Sequence, residues 1–182
     1  MFLGVDVAAS HFCQDGTYRL GNQRLRSPEM IARLCEWVNQ CPIISLEDGL
    51  AEDDWQYWPQ LRKALAGKAL VVGDDLLCTN PERIRRAIDT GCCDTLLLKV
   101  NQIGTLTEAA EAWRLARDAG WKIVISVRSG ETEDNWAADL AVGWSGDQFK
   151  NGSITQSERL SKYNRLLAIE EETGWTVRAW PR

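Results

Sequence analysis

Six short apolar runs punctuate the chain: residues 3–7 (LGVDV), 43–48 (IISLED), 69–75 (ALVVGDD), 95–101 (TLLLKVN), 122–127 (KIVISV) and 148–150 (QFK). Most are continuous rather than alternating, as strands of a parallel sheet covered by helices should be. After a longer first gap they recur at roughly 26-residue intervals, the size of one strand, one helix and two short loops. Helix patterns fill the intervals. Ser27 and Pro28 read as N-cap and N1 of a helix running to about Asn39, and Asn80 and Pro81 do the same for one ending near Gly91. Leu106, Ala109, Ala110, Trp113 and Ala116 mark one face of a third, stopped by Gly120. Residues 53–65 read as helical around Trp55, Trp58, Leu61 and Leu65, with Pro59 bending the helix or ending a first short piece. Residues 157–172 close the series, with Leu160, Tyr163 and Leu167 in phase.

Alternation of strand and helix gives either an open doubly wound sheet or a (β/α) barrel. The charges favour the barrel. Asp6, Glu47, Asp74, Lys99, Arg128 and Lys150 fall at or just after the carboxyl ends of six successive strands, and a barrel gathers side chains from every strand end into one mouth. A full barrel has eight strands and about 250 residues, so 182 residues are two units short. The expected fold class is therefore α/β, an incomplete TIM-type (β/α) barrel of about six strand-helix units in a single domain.

Composition narrows the partners. With 21 basic and 26 acidic residues the net charge is −5, and no Lys/Arg-rich stripe is present to track a phosphate backbone, so nucleic acid is not an expected partner. No stretch reaches the ~18 apolar residues of a membrane span, and Asp6 interrupts the short N-terminal apolar run, which lacks the basic start of a signal peptide. These features predict a soluble, cytoplasmic protein with no membrane partner. The six cysteines form no CxxC pair and the single histidine is His11, so the pattern predicts reduced, mostly buried thiols and a structural or surface histidine rather than a zinc site. Most of the nine tryptophans are expected to anchor core or interface.

Asp6 and Lys99 lie in otherwise apolar strands, where an unpaired charge is costly to bury. Three carboxylates at neighbouring strand ends, Asp6, Glu47 and Asp74, make an all-oxygen set suited to a hard cation such as Mg²⁺. Lys99 and Lys150 add cations opposite them, and a lysine beside a metal can remove a proton whose loss leaves an enolate. The other reading of the same residues is an ion-pair network that stitches the barrel mouth together.

The runs SLEDGLAEDDW, VVGDDL, TNPERI, LLLKVNQIGTLTEA, RSGETED, ADLAVG and SERLSKYNRLLAIEEE, with VDVAAS at residues 5–10, resemble the C-terminal barrel of enolase, which interconverts 2-phosphoglycerate and phosphoenolpyruvate. The resemblance extends from about Leu3 to Glu172. It implies Asp6, Glu47 and Asp74 as ligands of Mg²⁺, Lys99 as the base that removes the C2 proton, Lys150 as the partner of the substrate carboxylate, and Arg128 and Ser129 as the binders of a small phosphorylated carboxylate's phosphate. The six units correspond to the last six of the enolase barrel.

Three departures stand beside that resemblance. Val127 occupies the place of the histidine in the family's SHRSGETED motif, and FKNGS stands where the family usually has IKTGS. The N-terminal enolase domain and the first two barrel strands have no counterpart in the chain. Two readings follow: an enolase-like Mg²⁺-binding subunit, inactive alone and completed by another enolase-type subunit or by self-association, or an enolase-derived pseudoenzyme used in binding, regulation or assembly. Either predicts a partner, because removing two strands leaves two sheet edges to be paired.

Overall fold

The computed structural model describes residues 2–177, arranged in two compact units that divide between Ile123 and Val124. In chain order the elements are β1 (Leu3–Asp6), a 3₁₀ turn (Ala9–Phe12), β2 (Cys13–Gln14), β3 (Thr17–Leu20), β4 (Gln23–Arg26), α1 (Ser27–Gln40), β5 (Ile43–Glu47), α2 (Trp58–Leu65), β6 (Leu70–Gly73), α3 (Pro81–Thr90), β7 (Thr95–Leu98), α4 (Val100–Ile103), α5 (Leu106–Asp118), β8 (Lys122–Ser126), α6 (Trp136–Gly143), β9 (Gln148–Lys150) and α7 (Ser157–Thr173). Six parallel strands, β1 and β5 to β9, alternate with helices, so the α/β class and the incomplete TIM-type barrel expected from the sequence are those of the structure.

In the first unit β1, β5, β6 and β7 pair in that order, each parallel to the next. The central strands β5, β6 and β7 are mostly apolar, with Leu46, Val71, Leu96 and Leu97 fully buried. Trp58, Leu61 and Leu65 of α2, Ile84 and Ala87 of α3, and Ala109, Ala112 and Ala116 of α5 are all buried. Where the sequence predicts caps at α3, it has them: Asn80 Oδ1 accepts the amides of Glu82 (2.8 Å) and Arg83 (3.3 Å), and Gly91 ends the helix at φ 70°. In the second unit β8 and β9 pair parallel, with Ser126 opposite Lys150, and α6 and α7 pack together.

Several local expectations are corrected. β2, β3 and β4 form a small antiparallel sheet that the apolar pattern does not announce, since its strands read TYRL and QRLR. Its signals were the turns: Asp15-Gly16 with both φ positive, and Gly21-Asn22, each linking paired strands by two residues. Ser27 is the first residue of α1 rather than its cap, its hydroxyl donating instead to Asp54 (2.6 Å). The segment before Trp58 is turns, and Pro59 sits in the first turn of α2, where its missing N–H costs nothing. On α5 Ala112 completes the buried face while Leu106 is exposed. On α7 the phase is inverted: Arg159, Lys162 and Ile169 are buried, and Leu160 and Leu167 are exposed. Only Trp58 and Trp121 are buried among the described tryptophans, Trp180 lying outside the described residues, and of the six free cysteines only Cys92 and Cys93 are buried.

Candidate active site

Strand register sets the first group. Asp6 and Glu47 end β1 and β5 directly opposite one another, Asp74 follows the last residue of β6, and Lys99 follows β7. Glu47 and Asp74 are buried, whereas Asp6 is exposed and takes the Ala8 amide on Oδ1 (3.1 Å). The Lys99 ammonium is ion-paired to Asp74 Oδ2. Asp74 Oδ1 accepts from the Gln102 amide (2.8 Å), Gln102 in turn accepts from the Thr79 hydroxyl (2.7 Å), and Thr79 Oγ1 accepts the Lys99 backbone N–H (2.9 Å). Thr79 is β-branched yet held at φ 51°, a backbone state worth about 1–3 kcal/mol of strain. These bonds are what over-determine it.

The close carboxylate group is Glu47, Asp48 and Asp74, each offering an oxygen within 4.8 Å of the others; Asp6 is not one of the three. Asp48 was missed from the sequence because it closes the 43–48 run directly after Glu47, and alternation along a strand would send the two side chains to opposite faces. It stands at φ 42°, tolerable for Asp, and its carboxylate accepts the amides of Asp74 (3.0 Å) and Asp75 (2.8 Å). Burial pushes its pKa up to about 7, with the two amides pulling down and the Asp74 and Asp75 charges adding to the rise. Asp48 thus ties the loop that carries Asp74 to the end of β5. Gly49 follows because nothing larger fits: a Cβ there would lie 2.5 Å from Leu46 Cδ2 and 3.0 Å from Leu34 and Leu61 methyls. Three clustered carboxylates with no nitrogen or sulfur donor fit a hard divalent cation, and the triad could hold one.

The second unit holds the remaining expected residues. Arg128 and Ser129 are exposed on the loop after β8, and Lys150 is exposed at the end of β9. The Val127 amide donates to the Lys150 carbonyl (3.2 Å), so the residue that replaces the expected histidine is fixed by backbone while its side chain offers no polar atom. The departure at FKNGS also has a physical trace: Asn151 is buried, donates to the Arg159 carbonyl (3.0 Å), and leaves its Oδ1 without a partner.

The family model described as the C-terminal TIM barrel domain of enolase matches residues 1–179. The chain belongs to that family. Membership in the enolase barrel family accounts for the placing of charged residues at strand ends, since a barrel of this type presents its chemistry at the carboxyl ends of its strands. No helix of the described residues is long and apolar enough to cross a membrane.

Proposed function

We propose that this chain is an enolase-type subunit acting on the 2-phosphoglycerate/phosphoenolpyruvate pair, inactive alone and completed by further barrel strands from a partner. Asp6, Glu47 and Asp74 would hold Mg²⁺, with Asp48 bracing Asp74; the bound ion would supply positive charge to the substrate carboxylate. Lys99 removes the C2 proton, Lys150 holds the carboxylate, and Arg128 and Ser129 take the phosphate. The observation that supports this most is the Lys99–Asp74 pair within a cluster of three carboxylates, which keeps a base and a cation site in direct contact. Six parallel strands are described where a complete barrel has eight, so closure and exclusion of water require elements beyond them.

The apolar side chain of Val127 favours a second reading, an enolase-derived pseudoenzyme in a binding or assembly role. Purifying the native complex and assaying phosphoenolpyruvate formation separates the two. The proposal expects activity in the complex, loss of it with Lys99→Ala, and none in the chain alone; an inactive complex would favour the pseudoenzyme.

A further inference from the structure

The buried face of α7 carries cations where an amphipathic helix ordinarily carries apolar residues. Lys162 is fully buried, and its three N–H bonds are matched by three carbonyls, those of Thr132 (2.8 Å), Asp134 (2.7 Å) and Glu158 (3.0 Å), with the Glu131 carboxylate 3.1 Å away. Arg159, 7% exposed, donates through Nη1 to the Arg128 carbonyl (2.8 Å) and through Nη2 to the Ser129 carbonyl (3.0 Å). Gly152 gives the guanidinium room, since a Cβ there would meet Arg159 Nε at 3.2 Å. Burying two cations is costly unless they are paired and hydrogen-bonded, and here four of the acceptors are carbonyls of one loop, those of Arg128, Ser129, Thr132 and Asp134.

That grip has a consequence on the loop's other side. In a planar trans peptide the carbonyl of one residue and the N–H of the next point in opposite directions. Carbonyls 128 and 129 turned toward Arg159 therefore turn the N–H groups of Ser129 and Gly130 away from it. Neither amide has an acceptor in the protein among the described residues, whereas the Arg128 amide is already used by Glu131 (2.9 Å). Successive outward amides beside an exposed arginine and a serine hydroxyl are a set of donors that an oxyanion can accept from.

We infer that Arg159 and Lys162 are positioning residues that hold the 128–134 loop as a receptor for a phosphate oxyanion, with the Ser129 and Gly130 amides as direct donors. The inference rests on the phosphate role proposed for Arg128 and Ser129 and adds what sets their backbone. Neither cation touches the ligand.

The test is titration of the ¹⁵N-labelled full chain with inorganic phosphate, followed at the Ser129 and Gly130 amides, for the wild type, Arg128→Ala, Arg159→Lys and Lys162→Arg. The charge-conserving variants keep the local charge and lose the geometry of the grip. Both amides should shift in the wild type, and phosphate affinity should fall about tenfold in Arg159→Lys, the loss of one to two hydrogen bonds, while Mg²⁺ binding to the first unit is unchanged. A merely structural role for Arg159 would lower thermal stability and leave phosphate affinity unmoved, which would overturn the inference alone. Binding lost in Arg128→Ala without any shift at Ser129 and Gly130 would also overturn it while leaving the role of Arg128 standing. No phosphate response in the wild type would overturn both.

Discussion

The Lys99 ammonium and the Asp74 carboxylate are bound to one another at the ends of adjacent strands β7 and β6, with both side chains largely withdrawn from solvent. A cation bound at the carboxylate triad would therefore compete with the Lys99 ammonium for Asp74. Lys99→Met should destabilise the metal-free protein by about 1–3 kcal/mol, because a buried carboxylate loses its partner, and should tighten Mg²⁺ binding. Calorimetric titration and thermal melts check both; equal Mg²⁺ affinity in variant and wild type would remove the competition.

Mg²⁺ should raise the melting temperature of the wild type, since a ligand bound only by the native state stabilises it. Asp74→Ala should show little shift under the same titration. Asp48→Ala should lose about 1–3 kcal/mol by leaving the Asp74 and Asp75 amides without acceptors, and should weaken Mg²⁺ binding through the displaced loop.

Asp94, at the entry to β7, accepts the Val71 amide (3.0 Å) and the Thr95 hydroxyl (3.0 Å), yet burial raises its pKa above the usual carboxylate value. The folded state then binds the proton more tightly than the unfolded chain, whose Asp titrates near pH 3.9. Stability from this group is fully present below that pH and is lost as pH rises through the folded pKa. Urea unfolding across this range should give a shallower fall with pH in Asp94→Asn than in the wild type.

Gly49→Ala should cost about 1–3 kcal/mol by overpacking, since the added methyl meets Leu46, Leu34 and Leu61 side chains at 2.5–3.0 Å. A melting temperature equal to that of the wild type would show that the close approach is absent in solution.

The strand-helix order, the Asn80 and Gly91 ends of α3, and the charged residues at strand ends were legible because continuous apolar runs, N-caps and glycine stops act over a few residues. What escaped depends on contacts across many. Asp48 is only the end of a strand run in the sequence, and its role depends on the amides of Asp74 and Asp75, some 26 residues on. The α7 face was read backwards because periodicity assumes that apolar side chains go inside, whereas Arg159 and Lys162 are buried by the carbonyls of a loop some thirty residues upstream. The small antiparallel sheet carried its signal in the Asp15-Gly16 and Gly21-Asn22 turns, not in its strands.

Val127→His alone should not give the isolated chain phosphoenolpyruvate-forming activity, because departure of the C3 hydroxyl also needs acid assistance and exclusion of water. The central claim is that the base and the cation site still work together. The measurement that tests it most directly is incubation of the chain with 2-phosphoglycerate and Mg²⁺ in D₂O, following C2 deuteration by mass spectrometry and phosphoenolpyruvate by absorbance. Slow deuteration, abolished by Lys99→Ala, with no phosphoenolpyruvate is the expected result; no deuteration, or deuteration that survives Lys99→Ala, would show that the base and the carboxylate cluster do not act together.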